Sequence, residues 1–518
     1  MNFISLEFVL LFPLIFIAYF LLPFKARWVF LLAAGYLGYM MAKPSYIFLI
    51  IITTAVTYYC GLQIEKNTSI NKKRIFLVLG LTIPLTLLFY FKYINFFIAN
   101  LKPLLNQLKL QVVASDIGYL NLVLPLGISF FTFKALSYLI EVYRESQKTV
   151  KNVGIYALYV SFFPQLLAGP IERPGNLIPQ FYHKIDFKYE RLTDGLKLMM
   201  WGYFKKLVIA DNAAVIVDRV FNNVHHADFN NGIYFITATV CYAFQVYCDF
   251  SGYTDIAVGA AKILGFDTMK NFDRPYLSKS LTEFWSRWHI SLSSWLRDYL
   301  FLPISYAILR RTPKEKVLKI KTETWAYTGG IIITMLLGGL WHGANWTFVA
   351  WGLLMGIYLF IGFITRKPKK KIRKALSIKK SWKWYRALQV FTTFSLVCIA
   401  WIFFRANSIA DAFYIIKNLP TGLGSLFQKV FLSFNLKTIT MTINRIYLEF
   451  NIDSWHVIAL TLGIGTLGWV EFIQGKGSAG LWLKKKPLIL RWGIYYILIF
   501  AILYFGFRRT APFIYAQF

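Results

Sequence analysis

One histidine lies inside a long apolar segment and is the first candidate for chemistry. His342 is one of six histidines in 518 residues, and it occurs in the run Trp341-His342-Gly343-Ala344-Asn345, which carries no other ionisable group. An ionisable side chain at membrane depth is costly, so its presence favours a functional role. A neutral imidazole can accept a proton, and His342 is therefore expected to act as a general base that activates a hydroxyl. The alternative is a structural role, in which the ring caps a helix end or hydrogen-bonds within a turn.

A second histidine lies about fifty residues earlier, in the segment Phe284–Leu292, which is rich in tryptophan. Aromatic residues of this kind suit a membrane interface, and the residues alone predict an interfacial position for His289. Arg287, Arg297 and Lys279 could hold phosphates by charge-assisted hydrogen bonds, although ordinary placement of cations on the cytoplasmic side also explains them. Asp298 could orient a histidine, or it could simply pair with Arg297 or Lys279.

The elements that must position these residues are membrane-spanning helices. The chain is 57% hydrophobic and 19% aromatic, with a mean hydropathy of +0.51, which is typical of a polytopic membrane protein. Its net charge of +33 comes from short basic blocks between apolar runs. Such blocks face the anionic cytoplasmic leaflet, and the charge therefore does not indicate a nucleic-acid partner. The four cysteines lie in apolar runs without the spacing of a disulfide framework or a zinc site.

Eleven apolar runs are candidates for transmembrane helices, since a span needs roughly 20 apolar residues. They are residues 8–22, 28–41, 45–63, 75–98, 119–141, 196–220, 232–265, 325–364, 387–404, 455–473 and 487–506. A further run, 153–169, contains Pro164 and has basic residues on both sides. This pattern favours a re-entrant segment that does not cross the membrane.

The run 325–364 is too long for one helix and is predicted to form a hairpin. Basic blocks at 310–321 and 366–374 flank it, and both should be cytoplasmic, so the chain must enter the membrane and return. The apex falls at residues 341–345. The first arm, 325–340, is about 24 Å long at 1.5 Å per residue, and this length predicts that His342 lies inside the protein, below the outer surface.

The run 232–265 is also long, and it carries two carboxylates and a glycine near its centre. Asp249, Gly252 and Asp255 together predict a broken helix that faces a cavity. The alternative is that the two aspartates cap the N-terminus of the second half, where free N–H groups and the helix dipole favour anions. Both descriptions can hold at once.

These motifs resemble those of the membrane-bound O-acyltransferase (MBOAT) superfamily, in its bacterial branch of alginate, peptidoglycan and cellulose O-acetylation proteins. The chain is also similar to the D-alanyl transfer protein of teichoic acid synthesis. The stretches that carry the resemblance are 161–173, 247–255, 271–276, 284–299, 339–348 and the ending 511–515. One departure is Ser286, which stands where the family often has a basic residue.

The resemblance implies an all-α polytopic integral membrane protein, a single domain over residues 1–518 with its core motifs in 153–364. About eleven transmembrane helices would form a ring, with re-entrant and interfacial helices, around a central funnel or tunnel. Carried over, His342 is the catalytic histidine and His289 the second catalytic histidine of the family. The residues expected to contact substrate are Trp285, Trp288, Arg287, Trp341, Asn345, Asp249 and Arg297.

The resemblance also implies a reaction and its participants. Cytosolic acetyl-CoA would be the donor substrate, with no further cofactor and no metal. The acetyl group would cross the bacterial cytoplasmic (inner) membrane to a partner acetyltransferase of hydrolase-like fold, which esterifies an extracytoplasmic polysaccharide. Membrane lipid is the other expected partner.

Two other classes of function compete with an acyltransferase. A proton-coupled transporter or channel could use His342 as a relay, although no paired repeats of the kind common in transporters are visible. A scaffold of a secretion complex would tolerate the loss of both histidines.

Overall fold

The computed structural model describes residues 3–41, 43–108, 118–166, 169–226, 229, 231–312, 314–424, 453–506 and 513–514. The chain divides into two units, one with Met1–Met199 and Tyr253–Lys270, the other with Met200–Gly252 and Asn271–Gln517. The expectation of one domain over the whole chain stays a prediction. Of the C-terminal motif, residues 511, 512 and 515 lie outside the described residues, as do Leu167 and Ala168 of the motif 161–173.

The first unit is built from helices. Their bounds are Leu6–Leu21, Phe24–Met40, Pro44–Tyr46 (3-10), Ile47–Lys66, Ile70–Lys92, Ile94–Gln107, Ile128–Tyr143, Val153–Ser161, Phe163–Leu166, Pro174–Leu177 and Ile178–Tyr182 (3-10). Helices Tyr189–Tyr203 and Gly232–Ile263 contribute residues to both units. The expected span 75–98 is wrong at its end, because the backbone departs from helical geometry at Tyr93 (φ −117°) and a new helix begins at Ile94.

The described residues of the second unit are also helical, apart from one short strand pair. Its elements are Phe204–Ala210 (π), Asp211–Phe221, Pro275–Leu277 (3-10), Leu281–Trp285, Ile290–Leu296, Arg297–Phe301 (π), Leu302–Arg311, Thr322–His342, Trp346–Ile364, Arg366–Ala375, Lys383–Arg405, Ile409–Asn418, Ser454–Lys476, Ala479–Lys484 and Leu488–Gly506. The strands Lys316–Val317 and Ile320–Lys321 pair antiparallel, with Lys316 opposite Lys321.

Eight helices in the described part of the chain are long and apolar enough to cross a membrane. They are Pro44–Lys66, Ile70–Lys92, Gly232–Ile263, Thr322–His342, Trp346–Ile364, Lys383–Arg405, Ser454–Lys476 and Leu488–Gly506. Leu6–Leu21 is a shorter apolar helix of the same character. The prediction of an all-α polytopic membrane protein is confirmed.

The segment 153–169 forms two short helices. Val153–Ser161 has nine residues, about 14 Å of helix, and Phe162 (ψ 105°) separates it from Phe163–Leu166. Neither piece is long enough to cross a bilayer, which agrees with the predicted re-entrant character.

The hairpin predicted for 325–364 is confirmed. Thr322–His342 is one arm and Trp346–Ile364 the other, and Asn345 caps the second arm by accepting a hydrogen bond on Oδ1 from the Thr347 amide at 2.9 Å. The two arms approach closely where glycines face each other, since a Cβ on Gly352 would lie 3.1 Å from the Cα of Gly339. This packing holds the apex residues between two rigid helices.

The predicted break in the run 232–265 is wrong. Gly232–Ile263 is one continuous helix of 32 residues, so neither aspartate lies at a helix start where it could act as a cap. The mid-helix glycine has a packing role instead: a Cβ on Gly252 would lie 2.7 Å from the carbonyl oxygen of Gly202. A small residue therefore lets two helices touch without interrupting either.

Candidate active site

The imidazole of His342 is buried at the hairpin apex among aromatic rings. It is 4% exposed, as the length of the first arm predicted. Its ring centroid lies 4.9 Å from Trp341, 5.0 Å from Trp351 and 5.1 Å from Phe404, and all three contacts are edge-to-face. Rings at these distances form a closely packed wall around the histidine.

A second layer of indoles supports this wall. Trp351 stacks on Trp401 with centroids 5.7 Å apart and an interplanar angle of 10°, and Trp285 lies 5.9 Å from Trp351. The Nε1–H groups of Trp285 and Trp351 are buried and find no hydrogen-bond acceptor within the described residues. Buried indole N–H groups usually have a partner, so these two donors are suited to a bound substrate or water.

The rings of both layers are here called the aromatic cage. Three of its members, Trp351, Trp401 and Phe404, are absent from the site residues predicted from the sequence. Trp401 and Phe404 lie three positions apart in helix Lys383–Arg405, a spacing that places both side chains on one helix face. That spacing was the available signal. The spacing does not show that this helix face packs against His342, because a helix sixty positions away along the chain can pack against any of several others.

The second histidine, His289, is fully buried. The prediction that it lies at a surface is wrong, since its exposed fraction is 0%, and Trp288 of the same segment and the following Trp295 and Tyr299 are also buried. Burial lowers the pKa of His289 to about 3, so the ring is neutral at pH 7. Aromatic content alone does not separate a residue at the membrane surface from one inside the protein.

The amide of Asn271 orients the His289 ring. Its Oδ1 lies 3.0 Å from Nδ1 of His289 and accepts hydrogen bonds from the backbone N–H and the hydroxyl of Ser291, at 3.2 and 2.9 Å. Because a carbonyl oxygen only accepts, Nδ1 of the neutral ring carries the proton and Nε2 is the basic nitrogen. Asn271 belongs to a motif of the family resemblance but was not predicted as a site residue.

The backbone at His289 adopts an uncommon conformation that turns the chain inward. Its φ is +42°, in the left-handed region, and helix Ile290–Leu296 begins directly after it. Two backbone hydrogen bonds secure the turn, from Ile290 N to Asn271 O at 2.8 Å and from Asp273 N to Arg287 O at 2.9 Å. Such a conformation in a residue other than glycine costs about 1–3 kcal/mol and occurs often at functional sites.

One aromatic ring contacts both histidines. The centroid of Trp341 lies 6.2 Å from His289 and 4.9 Å from His342. On its other side, His289 is packed edge-to-face on Phe250 at 4.6 Å. The structure therefore brings His289, Trp341 and His342, all predicted site residues, into one cluster.

The two predicted phosphate-binding arginines already pair with carboxylates. Nη2 of Arg287 donates to Glu283 Oε1 at 2.6 Å, and Nε of Arg297 donates to Asp298 Oδ1 at 2.8 Å. The side chain of Arg297 is mostly exposed, and of the two roles considered for Asp298 the pairing with Arg297 is confirmed. A role for these arginines in binding phosphates stays a prediction.

Asp249 belongs to a buried ionic cluster. Nζ of Lys206 lies 2.6 Å from Asp249 Oδ1 and 2.7 Å from Asp211 Oδ1, and all three side chains are almost fully buried. The other carboxylate oxygen of Asp249 accepts a hydrogen bond from the backbone N–H of Ile514 at 2.8 Å. A buried carboxylate is tolerated where a cation and hydrogen bonds compensate its lost hydration.

In the described part of the chain, no group of three or more His, Cys, Asp or Glu is placed to hold a metal ion.

Lys206 reaches this cluster from a π-helical segment, Phe204–Ala210, in which every residue is buried. Its neighbour Lys205 is buried as well, and its Nζ donates to the hydroxyl of Ser251 at 2.9 Å. Two consecutive lysines thus both contact the helix Gly232–Ile263, as the wider π-helical turn allows.

A polytopic helical chain with a buried histidine between two membrane-spanning arms defines a class of protein, the membrane-bound O-acyltransferases. The family model described as "MBOAT, membrane-bound O-acyltransferase family" matches residues 49–403, and the chain belongs to this family. It is therefore a multi-pass membrane enzyme of the O-acyltransferase type.

Individual relatives are similar over most of their length. The probable alginate O-acetylase AlgI of Azotobacter vinelandii is 37% identical over 79% of this chain and 76% of its own. The peptidoglycan O-acetyltransferase of Helicobacter pylori is 32% identical over 79% and 77%, respectively. The teichoic acid D-alanyltransferase of Streptococcus thermophilus is 30% identical over 60% and 75%. These relatives confirm the resemblance that the motifs carry.

Proposed function

We propose that this protein takes acetyl from cytosolic acetyl-CoA and moves it across the membrane for the O-acetylation of an extracytoplasmic polysaccharide. The names of relatives that acetylate alginate or peptidoglycan support acetyl as the group and a polysaccharide as the acceptor. The observation that carries the proposal is the burial of His342 at the apex of a hairpin, inside a cage of aromatic rings.

In the proposed reaction, His342 is the general base. Its imidazole accepts the proton of an acceptor hydroxyl while the hydroxyl oxygen attacks the thioester carbonyl carbon. The new C–O ester bond forms, the C–S bond breaks, and the thiolate leaves with the proton that His342 returns. Acid–base assistance of this kind contributes about 10²–10⁴-fold to a rate.

His289 acts beside this step as the second catalytic group. Its Nδ1–H is committed to Asn271, so the basic Nε2 is presented by a ring that stays neutral at physiological pH. The indole N–H groups of Trp285 and Trp351 are the donors that we assign to the acyl carbonyl, because hydrogen bonds to that oxygen stabilise the charge that develops on it. We assign Trp288 and Trp341 to the aromatic lining of the substrate site. We assign Asn345 and Asp249 to the structure that supports this site, through the helix cap and the buried ion cluster.

The participants outside the protein follow the family resemblance. The adenosine phosphates of acetyl-CoA would bind Arg287 and Arg297, in competition with the carboxylates of Glu283 and Asp298. On the far side, the acetyl group passes to an acetyltransferase of hydrolase-like fold, which esterifies the polysaccharide. The membrane is the bacterial cytoplasmic membrane, and acetyl-CoA is consumed as a substrate without a further cofactor.

Membership of an acyltransferase family argues against the alternative of a proton-coupled transporter. The two functions also differ in a direct assay. A transporter with a histidine relay would leave acetyl-CoA intact, whereas the enzyme releases the free thiol.

The proposal is tested by substituting His342 with glutamine, which keeps much of the volume and removes the base. We expect thiol release from acetyl-CoA by the purified protein, and polymer acetylation in cells, to fall about 10²-fold or more. His225→Gln is the matched control, because His225 is an exposed histidine in a turn and should retain full activity. Unchanged acetylation in a folded His342→Gln protein would remove the catalytic assignment.

A further inference from the structure

A cavity of about 470 Å³ lies where helix Ser454–Lys476 ends and the short helix Ala479–Lys484 follows. Its wall combines aromatic or apolar residues with lysines. The main lining residues are Trp469, Phe472, Lys476, Leu481, Trp482 and Lys485. No part of the proposed acetyl transfer uses this cavity.

The aromatic rings and the ammonium groups of this region are arranged in pairs. Nζ of Lys476 lies 4.3 Å from the centroid of Phe472, and Nζ of Lys486 lies 4.7 Å from the centroid of Trp482. Trp469 and Trp482 meet edge-to-face at 5.3 Å. The first of these cation–π contacts holds the Lys476 ammonium group at the lining of the cavity, and the second places the Lys486 ammonium group against Trp482, whose side chain lines it.

The chain segment that forms most of the cavity lining carries charge of one sign. The stretch 474–491 contains Lys476, Lys484, Lys485, Lys486 and Arg491 and no acidic residue. The carboxylate nearest in sequence, Glu471, is buried and accepts a hydrogen bond from the hydroxyl of Tyr247 at 2.6 Å. The cavity therefore favours an anion.

The cavity also lies at a membrane boundary. One candidate span, Ser454–Lys476, ends at it, and the next, Leu488–Gly506, begins shortly after it. The apolar lining is open, since Phe472 and Leu481 are each 60% exposed. Acyl chains can lie on these side chains while a phosphate reaches the lysines.

We infer that this cavity, here called the Trp469–Lys485 site, binds the headgroup of an anionic phospholipid of the surrounding membrane. Lys476 and Lys485 contact the phosphate, and Trp469, Phe472 and Trp482 contact the glycerol region and the upper acyl chains. Basic pockets beside membrane-spanning helices recognise anionic headgroups in this way, and indoles prefer the same depth. The inference does not depend on the proposed acetyl transfer.

The test measures lipid binding directly. The full-length protein is purified in detergent, delipidated and titrated with phosphatidylglycerol or phosphatidylcholine, and bound lipid is counted by native mass spectrometry. We expect one tightly bound phosphatidylglycerol and a preference for it over phosphatidylcholine. The double variant Lys476→Gln/Lys485→Gln should weaken that binding roughly 10- to 30-fold, given the usual contribution of each lysine near a lipid surface.

Two matched variants separate this site from general positive charge. Lys369→Gln/Lys370→Gln removes the same charge from the exposed basic helix Arg366–Ala375 and should leave the bound lipid in place. Lys476→Arg/Lys485→Arg keeps the charge and should retain binding, which also shows that the site folds after substitution. Equal binding of phosphatidylcholine, unchanged affinity in the glutamine variant, or displacement of the lipid by millimolar inorganic phosphate would overturn the inference.

Discussion

The ring of Trp341 lies 6.2 Å from the ring of His289, although the two residues belong to segments about fifty residues apart. The same indole is 4.9 Å from His342, which follows it in the chain. A single side chain therefore links the two histidines, and any shift of the hairpin apex changes the surroundings of both.

This contact predicts that Trp341 is a positioning residue. Trp341→Ala should reduce acetyl transfer at least tenfold with both histidines intact, because even small misplacement of catalytic groups is costly. Trp346→Ala is the control, since Trp346 is an exposed tryptophan at the start of the second hairpin arm. Initial rates of thiol release check the prediction, and equal rates for the two variants would contradict it.

The three hydrogen bonds that Asn271 Oδ1 accepts, here called the Asn271 clamp, predict that substitution of Asn271 lowers the stability of the protein. Asn271→Leu removes the oxygen that receives Nδ1–H of His289 and both donors of Ser291, leaving buried donors unsatisfied at a cost of about 1–3 kcal/mol each. The midpoint of thermal unfolding in detergent should fall accordingly. Asn223→Leu, at an exposed asparagine in a turn, should change it little. A stable Asn271→Leu protein with normal activity would show that the clamp has no role.

The lowered pKa of His289 predicts a pH dependence of stability. The folded-state pKa is about 3, whereas an unfolded histidine titrates near about 6.5, so the unfolded chain binds one more proton between these values. This contribution to the free energy of unfolding is fully present above about pH 6.5 and is lost progressively as the pH falls toward 3. Unfolding measured from pH 7.5 to 4.5 should show a shallower decline for His289→Gln than for the natural protein. Parallel curves would indicate that His289 has the same pKa in the folded and unfolded states and would contradict the prediction.

The buried cluster of Lys206 with Asp211 and Asp249 predicts a strong effect of one substitution. Lys206→Met leaves two buried carboxylates without the cation and should destabilise the protein by about 3–5 kcal/mol. Lys262→Met is the control, because its bridge to Asp194 is longer, at 3.7 Å, and partly exposed. Chemical unfolding of both variants makes the comparison, and similar losses in the two would contradict it.

The hairpin was predictable from the sequence because two simple quantities define it, the length of the apolar run and the basic blocks on both sides. Those quantities also predicted the burial of His342. The aromatic cage was not predictable in the same way. Trp351 and Phe404 meet the histidine through the packing of three helices, and no local pattern specifies which helix faces which.

Two predictions failed because a sequence pattern does not show which ion-pair or hydrogen-bond partner a buried polar side chain will have. Asp249 in an apolar run indicated a broken helix, yet Lys206 compensates the carboxylate and the helix continues. His289 among tryptophans indicated the membrane surface, yet Asn271 satisfies its ring inside the protein. In both cases the partner is distant along the chain.

The π-helical turn at Phe204–Ala210 has a consequence for insertions and deletions. A turn of this type holds one residue more than an α-helical turn, and here the surplus residue brings Lys206 round to both carboxylates. Deleting one residue from the turn would remove this surplus, so the turn could close as a regular α-helix while the flanking parts keep nearly their present orientation. A single deletion elsewhere in a helix disturbs packing along its length. This deletion would instead move the Lys206 ammonium group away from the Asp211 and Asp249 carboxylates, with almost no change in the composition of the helix.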